Sequence, residues 1–296
     1  MESSAIAAPI SAADDSTPPQ FWRAALRSTE GRIGWVVGLV MIGVIVGGSL
    51  FGPSTEYGDG PPGSGMSAEH WFGTDSLGRD VLSRFLEGGT TVLWIPLVAV
   101  IIALVLGGGL GLLGAYRGGW ADNVITKAFD VVLTVPPLLI VLVIIGALGA
   151  STTVLIVTVG LVFAPPFGRV VRGTAQSVLV NLYVAAAKAR GERASAILLR
   201  EITPNIAGPV LAEFGLRVTY GILFISTLSF LGLGVQPPAP DWGLMIAENR
   251  NLLTVAPWGT LLPAIGIAAL AVSLNLMAEA LSNSVTGDES TKVIEL

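Results

Sequence analysis

Two ionisable residues stand inside an apolar stretch, where they could carry out chemistry. Glu213 and Arg217 are four residues apart in the run Ile206–Leu231. This spacing places them one helical turn apart, with the glutamate on the favoured N-terminal side. Ionisable groups inside a membrane usually pair with each other or face a water-filled cavity. The two residues therefore indicate either a structural ion pair or a place on a transport path, and the sequence leaves both open.

Three further polar residues stand near the ends of other apolar runs. Asp130, Asn275 and Glu279 occupy positions that water reaches easily, so structural roles are expected for them. Asn275 also joins Glu213 and Arg217 as a polar residue that could line a path through the membrane.

The sequence lacks the common devices of nucleotide hydrolysis and metal catalysis. None of its lysines follows a glycine, so the G-x-x-x-x-G-K-[ST] phosphate loop is missing. It contains no cysteine and a single histidine, His70, which excludes thiolate catalysis and a histidine-based metal cluster within one chain. We therefore expect no catalytic residue, no metal site and no cofactor bound by this chain.

A short charged stretch, GTDSLGRD, follows His70. Its residues Asp75, Arg79 and Asp80 have the spacing of a helix start, with Thr74 or Asp75 as the N-cap. Local capping accounts for these charges without any ligand. His70 itself is expected to be an exposed loop residue.

The composition places most of the chain in lipid. Of the 296 residues, 52% are hydrophobic and only 12% are charged, against about 25% in a soluble domain, and the mean hydropathy is +0.74. The net charge of −5 offers no basic surface for nucleic acid. Apolar runs of spanning length predict an all-α polytopic membrane protein with six transmembrane helices, the fourth of them short and ending at Pro165 and Pro166. The six predicted spans are Ile33–Phe51, Val92–Tyr116, Val124–Leu148, Val154–Phe167, Ile206–Leu231 and Thr260–Leu281.

The distribution of lysine and arginine predicts the orientation of these spans. With the N-terminus inside, the cytoplasmic segments carry 12 basic residues and the external segments only 3. Cytoplasmic connections are the ones enriched in lysine and arginine, so both termini are expected in the cytoplasm. The resulting units are a cytoplasmic tail 1–32, a first helix 33–51, an external segment 52–90, a five-helix core 91–281 with a cytoplasmic loop 169–205, and a cytoplasmic tail 282–296.

Pairs of glycines four residues apart recur in the spans. Such spacing allows helix backbones to approach closely in lipid. We expect ordinary packing within the chain, with a dedicated dimer contact as the less favoured alternative. The pairs are Gly34 and Gly38, Gly43 and Gly47, and Gly107 and Gly111.

The predicted cytoplasmic loop contains a basic, alanine-rich stretch, NLYVAAAKARGERASAILLREITPN. Its strong helix formers predict a helix over Leu182–Arg190 that stops at Gly191. A second short helix, Ala194–Ile202, is expected to end before Pro204. The residues alone leave two functions open: a docking helix for a soluble partner, or an amphipathic helix that rests on anionic lipid.

This stretch resembles the cytoplasmic Glu-Ala-Ala loop of bacterial ABC importer permeases. Ala186, Ala187, Gly191, Ile202 and Pro204 match that pattern, whereas Ala185 replaces its glutamate and Thr203 its leucine. The resemblance implies a type I importer permease fold in which the helix is the coupling helix that docks on an ATPase subunit. The implied docking residues are Tyr183, Val184, Ala185, Ala186, Ala187, Lys188, Arg190 and Gly191.

Two more stretches narrow the resemblance to the C-type permease subunit of dipeptide and oligopeptide importers. HWFGTDSLGRDVLSRFLEGG (70–89) is similar to the external segment that follows the first span of that subunit, and LSFLGLGVQPPAPDWGLMI (228–246) to the segment that follows the fifth. AYRGGWAD (115–122) is a weaker third match. In this family the external region faces the substrate-binding protein, which implies such a role for Asp75, Arg79, Asp80, Asp241 and Trp242.

The resemblance implies a bacterial inner-membrane permease subunit that forms half of a translocation path for di- or oligopeptides; related importers carry nickel. Its expected partners are a second, similar permease subunit, two ATPase subunits that bind ATP and Mg²⁺, and an external binding protein. The alternative is a self-sufficient channel or secondary transporter that uses Glu213 and Arg217 for ion coupling. The sequence shows no inverted internal repeat of the kind many secondary carriers have, which weighs against the alternative.

Overall fold

The computed structural model describes residues 29–51, 58 and 60–294, and throughout these residues the regular structure is helical. The N-terminal tail predicted over 1–32 lies outside them apart from its last four residues. Two of the helices contain a π turn, over Leu104–Gly108 in α2 and over Ile197–Ile202 in α7. The helices of the described part are α1 Thr29–Phe51, α2 Val81–Arg117, α3 Gly119–Thr134, α4 Pro137–Leu148, α5 Thr152–Leu179, α6 Leu182–Ala189, α7 Ala194–Phe230, α8 Trp242–Asn249 and α9 Trp258–Ile294.

Five of these helices, α1, α2, α5, α7 and α9, are long and apolar enough to cross a membrane. The pair α3 and α4 makes a sixth span if the two are counted together, although they meet at an angle of 82°. The polytopic all-α class predicted from the sequence is confirmed. The span predicted over Val124–Leu148 is not one continuous helix, because Val135 precedes Pro136 and adopts the extended backbone that a following proline imposes.

At two other places the sequence predicted that prolines end a helix, and in the structure they do not. Helix α5 continues through Pro165 and Pro166 to Leu179, so the predicted short span Val154–Phe167 is corrected. Within a membrane bundle, neighbouring helices and local adjustments compensate for the backbone hydrogen bonds that a proline removes. Helix α7 likewise does not stop before Pro204, since the α-helical geometry restarts at Thr203 and Pro204 falls in a first-turn position, which tolerates it.

Glycines bring two pairs of helices into very close contact. A Cβ atom added to Gly107 or Gly111 of α2 would lie 1.9 or 2.2 Å from a backbone oxygen of α5. On α1, the carbonyl oxygen of Gly34 accepts a hydrogen bond from Ser273 Oγ of α9 at 2.7 Å. The expected packing within the chain is confirmed for these glycines. By contrast, a Cβ atom added to Gly43 or Gly47 would meet no atom of the described residues within 4 Å.

The spanning helices enclose a core between α2, α5 and α7, with α1 and α9 packed on one side of it. The external segment, predicted over 52–90, ends at Asp80 because α2 already begins at Val81. Its described part folds against α8, which lies between α7 and α9. At the other end of the chain, α9 continues to Ile294 through most of the predicted tail 282–296.

Candidate docking and transport site

Helix α6 is a short, separate helix between two long ones, as the sequence predicted. It follows Asn181 and ends where the Arg190 N–H donates to the Ala186 carbonyl oxygen at 3.0 Å. Gly191 then adopts φ +72°, and its N–H donates to the Lys188 oxygen at 3.0 Å. Positive φ is the conformation for which glycine is the usual helix stop, so the predicted role of Gly191 is confirmed.

The two faces of α6 differ in what they contact. Val184 and Ala187 are completely buried in the core of this chain, so they offer no surface to a partner and leave the predicted docking set. The residues of that set that remain exposed are Tyr183, Ala185, Ala186, Lys188, Arg190 and Gly191. Leu182, which was not in the set, has 87% of its surface exposed and is the most prominent apolar side chain on the helix.

Helix α6 is also tied to the end of α2. The Lys188 ammonium lies 5.4 Å from the centre of the Tyr116 ring, within the range of a cation–π contact. Tyr116 is the penultimate residue of α2. Arg190 pairs with Glu192 across the Gly191 turn, with its Nη2 2.6 Å from the Glu192 carboxylate. Lys188 thus gives α6 one side-chain contact with α2, while α6 packs mainly against the π turn of α7.

The predicted pair in the fifth predicted span is formed. Arg217 Nε donates to Glu213 Oε1 at 2.5 Å, and the two side chains are only 22% and 14% exposed. The structural interpretation of this pair is thus supported by its geometry. Asn275 is exposed on α9, a different helix, and is not a partner in the Glu213–Arg217 pair.

Two further ion pairs, missed from the sequence, connect α3 to α5. Arg172 binds Asp122 with two hydrogen bonds of 2.5 and 2.6 Å. Arg169 binds Asp130, which agrees with the structural role expected for that carboxylate. Each arginine stands on α5 and each aspartate on α3, so both pairs hold the bent pair of helices to the core.

Helix α7 carries an exposed stripe of residues at helical spacing. Tyr220, Leu223, Thr227 and Phe230 recur every three or four positions and are all exposed. Between this stripe, α8 and α9 lies a groove whose described lining residues are all uncharged. They are Leu223, Ser226, Thr227, Phe230, Ile246 and Ile267.

Four charged residues that are far apart in sequence meet at the opposite end of α2 from α6. We refer to Asp75, Arg79, Arg84 and Glu248 as the external charge cluster, after the external segment predicted from the sequence. Arg79 Nε and Arg84 Nη1 donate to Asp75 Oδ2 at 2.7 and 2.8 Å. Arg79 Nη2 and Arg84 Nη1 donate to Glu248 Oε2 at 2.8 and 2.6 Å. The cluster joins the external segment and α2 to α8.

The electrostatics of Asp75 follow from this arrangement. Burial of the carboxyl group would by itself raise its pKa, and Asp75 is completely buried. The backbone N–H groups of Arg79 and Leu77 and the charge of Arg79 together outweigh burial, so the pKa of Asp75 lies below its ordinary value. Asp75 is therefore a buried anion that the fold stabilises.

The N-cap of α2 is not one of the two residues predicted from the sequence. Asp80, and neither Thr74 nor Asp75, is the N-cap of α2, because Asp80 Oδ1 accepts the Ser83 N–H at 2.8 Å. Asp75 Oδ1 instead accepts the N–H groups of a tight turn before the helix. His70 is less exposed than expected, since its Nδ1 lies 3.0 Å from Asp80 Oδ2.

Helix α8 is held to α2 at its N-terminal end as well. Asp241 is its N-cap, and burial raises the pKa of this carboxyl group. The Trp242 indole N–H donates to the Phe85 oxygen at 2.7 Å, and the Trp242 and Phe85 rings stack at 4.7 Å. Near the other end of α8, the Asn249 amide oxygen accepts the Ser76 N–H at 2.9 Å.

These contacts correct one implied role. Of the five side chains expected to face a binding protein, Asp75, Arg79, Asp241 and Trp242 are buried and Asp80 is partly covered. Their partners are one another and α8, so the two external motifs of the sequence bind each other within this chain. Arg84, Glu248 and Asn249 were missed. The available signal was Arg84, a charge at the start of a long apolar run, which requires a partner.

The described part of the chain is polytopic and helical, with the short exposed helix α6 beside the long ones and an uncharged groove along α7. The chain belongs to the family of binding-protein-dependent transport system inner membrane components, which matches residues 105–287. It is thus the multi-pass inner-membrane permease component of an ABC importer, within the dipeptide and oligopeptide branch. Membership of a multi-subunit system argues against the self-sufficient carrier considered from the sequence.

Similar proteins support the same assignment over most of the chain. A dipeptide transport system permease protein, DppC, of Alkalihalophilus pseudofirmus is 34% identical over 92% of this chain and 91% of its own length. A glutathione transport system permease protein, GsiD, of Pectobacterium atrosepticum is 32% identical over 90% of this chain and 89% of its own. A GsiD protein of Escherichia coli is 34% identical over 75% and 73%, respectively.

Proposed function

We propose that this chain is one of two permease subunits of an ATP-driven importer of short peptides, and that α6 is the helix on which an ATPase subunit docks. The observation that carries the proposal is the form of α6. One face is anchored by Val184 and Ala187, while Leu182, which is 87% exposed, projects from the opposite face. An exposed apolar surface on a rigidly held helix is the form in which helices fit into partner grooves.

The proposed substrate is a peptide of a few residues. Relatives of this chain are named for dipeptides and for glutathione, which is itself a tripeptide. The described residues that line the groove beside α7 are uncharged, and a path without fixed charges suits substrates whose side chains vary in charge. The stripe of Tyr220, Leu223 and Thr227 is our candidate for this chain's contribution to the path.

In this scheme the chain binds no nucleotide, and ATP with Mg²⁺ belongs to the two ATPase subunits. The basic-residue bias favours a cytoplasmic location for both termini and α6, with the external segment on the side of a substrate-binding protein. Closure of the ATPase subunits moves α6, and through it α2, which switches the path between outward and inward access. The partner permease supplies the other half of the path.

Substitutions at Gly191 test the docking role with a matched control. No atom of the described residues lies within 4 Å of a Cβ placed on Gly191, so any effect arises from its φ of +72° and not from a clash. Gly191→Val, with a β-branched side chain that resists positive φ, should misplace α6. Gly191→Asn, which tolerates positive φ, should keep it. We expect the valine variant to reach the membrane normally but to lose ATPase subunits on purification, whereas the asparagine variant retains them.

A second pair of variants probes the surface of α6. Ala186→Glu places a charge on the exposed face of α6, and Ser195→Glu places the same charge on the first turn of α7, away from α6; both positions are exposed. Only Ala186→Glu should reduce ATPase retention or separate ATP hydrolysis from peptide uptake. Normal assembly and uptake by both Gly191→Val and Ala186→Glu would show that α6 is an interfacial helix without a docking role.

A further inference from the structure

The external charge cluster is electrically balanced and largely closed to solvent. Two carboxylates face two guanidinium groups, and Asp75 and Arg84 are 0% and 1% exposed. Removing one member of such a group leaves an uncompensated buried charge, so the group resists separation far more than a surface ion pair does. Contacts of this kind connect parts of a protein that stay together.

The parts that the cluster connects are α8 and the start of α2. Arg84 contributes from the first turn of α2, and Glu248 from the last turn of α8. The N-terminal end of α8 is fixed to the same helix by Trp242, and Thr91 Oγ1 of α2 donates to the Pro240 oxygen at 3.0 Å. Both ends of α8 are therefore attached to the first three turns of α2.

Helix α8 also borders the groove of the proposed path. Ile246 lines that groove together with Leu223, Thr227 and Phe230 of α7. Close packing holds the two helices together, since a Cβ on Gly243 of α8 would lie 2.3 Å from the Ser226 oxygen. The position of α8 on α7 therefore sets how open the groove is at this end.

Helix α2 extends from the cluster to the docking helix. It contains 37 residues and is therefore about 55 Å long. Arg84 stands at its external end, and Tyr116, which contacts Lys188 of α6, stands at the other. One helix thus touches both the proposed ATPase docking site and the element beside the external mouth of the groove.

We infer that the external charge cluster makes α2 and α8 a single moving unit, so that displacement of α6 by the ATPase subunits reaches α8 through α2 and changes the external closure of the path. The cluster residues are positioning residues: they touch no substrate and act through α8. This inference rests on the proposed function, because it takes the groove beside α7 as part of the path.

A single cysteine in the groove can report external access, because the chain has no cysteine of its own. Thr227→Cys is the reporter, assembled with the ATPase and partner permease subunits in proteoliposomes. Its labelling rate with a membrane-impermeant maleimide, applied from the external side, is compared without nucleotide and after trapping with ATP and vanadate. With the cluster intact, we expect the two rates to differ by about tenfold, as for a path that exchanges between two states.

Glu248→Gln, combined with the reporter, removes one charge from the cluster. We expect the two labelling rates to become equal within about twofold, while ATPase subunits still copurify, because docking occurs at the other end of α2. Glu69→Gln is the matched control. It neutralises an exposed carboxylate on the same external segment and should keep the full difference between the two states.

A second variant, in which the cluster stays electrically neutral, controls for misfolding caused by an unpaired buried charge. Arg79→Gln with Glu248→Gln removes one charge of each sign and leaves Asp75 paired with Arg84. If the Glu248→Gln protein does not accumulate in the membrane, the labelling rates of this double variant test the inference instead. A state-dependent rate that persists in the variant tested overturns the inference. If Thr227→Cys without any cluster substitution is labelled at the same rate in both states, the groove is not part of the path, and the inference fails with that assignment. This result differs from failure of the inference alone, because it is obtained with the cluster intact.

Discussion

Asp75 and Asp241 are buried carboxyl groups whose environments drive their titration in opposite directions. Two guanidinium groups and two backbone N–H groups face Asp75, and its pKa is lowered. At Asp241 burial is the dominant influence, and its pKa is raised. Both residues stand outside the spanning helices, one before α2 and one before α8. They should therefore give opposite dependences of stability on pH.

Asp75→Asn should lower the free energy of unfolding at neutral pH by about 3–5 kcal/mol, the typical cost of breaking a buried ion pair. Because the fold lowers the pKa of Asp75, its contribution is complete above the ordinary value of 3.8 and is lost as the pH falls through the lowered value. The difference in melting temperature between the two proteins in detergent should thus narrow only in strong acid. A constant difference down to the lowest pH would contradict this account.

Asp241→Asn provides the contrast. Because burial raises the pKa of Asp241, its stabilising contribution is present below 3.8 and is lost as the pH rises through the raised value. Asparagine is neutral at every pH and caps helices as well as aspartate does. The variant should therefore be at least as stable as the unchanged protein at neutral pH and lose this advantage in acid. Melting temperatures of the Asp75→Asn and Asp241→Asn variants, measured at neutral and at acid pH, distinguish the two aspartates.

Contacts of single residues could be predicted from the sequence only where the two partners are close together along the chain. Glu213 and Arg217 are one turn apart, and Gly191 acts on its own helix, so local spacing was sufficient for both. Arg84 and Glu248 are separated by 164 positions. No local pattern links such residues, and only the folded arrangement of α2 and α8 shows that the two external motifs bind each other.

At the scale of helices, the contact between α2 and α5 depends on glycine. Gly111→Ala would place a Cβ atom 2.2 Å from the Gly168 oxygen, which is a backbone atom and cannot move aside alone. Forcing extra volume into such a contact typically costs about 1–3 kcal/mol, which exceeds the gain of up to about 1 kcal/mol from the better helix propensity of alanine. The variant should melt at a lower temperature than the unchanged protein.

Gly43→Ala on α1 is the control for this prediction. No atom of the described residues lies within 4 Å of its added Cβ, so only the helix-propensity gain remains. We expect unchanged or higher thermal stability. If Gly43→Ala and Gly111→Ala lower the melting temperature equally, the close approach of α2 and α5 is not the reason why position 111 requires glycine.

Helix ends were harder to predict than helix existence, and prolines were the main reason. In water a proline usually ends a helix, and this rule held at Pro136, where α3 and α4 diverge. It failed at Pro165 and Pro166, which both stand inside α5, where Pro165 is buried. Whether neighbours compensate for a missing N–H is a tertiary property, so the sequence of α5 alone could not reveal it.

At the scale of the whole molecule, orientation in the membrane is the property on which the proposed function depends. Ser67 and Ser151 lie in two different connections between helices, Ser195 lies in the first turn of α7, and all three are exposed. Cysteines introduced at these positions one at a time should react with an impermeant reagent from outside, outside and inside, respectively, because basic residues favour the cytoplasmic side. Labelling of Ser195→Cys in intact cells would reverse the orientation and remove α6 from the reach of cytoplasmic ATPase subunits.

The π turn over Leu104–Gly108 has a consequence for how this chain can vary in evolution. A π turn closes its hydrogen bonds one residue later than an α turn, so α2 accommodates one residue more than a uniform helix of the same rise would. Each added or deleted residue rotates the remainder of a helix by about 100°. Loss of one residue within this turn would restore an α turn and keep Arg84 and Tyr116 in phase, whereas loss of one residue elsewhere in α2 would turn them out of phase with each other. Homologous permeases that preserve both contacts should therefore vary in residue count between these two positions only at this turn, even where the intervening side chains diverge.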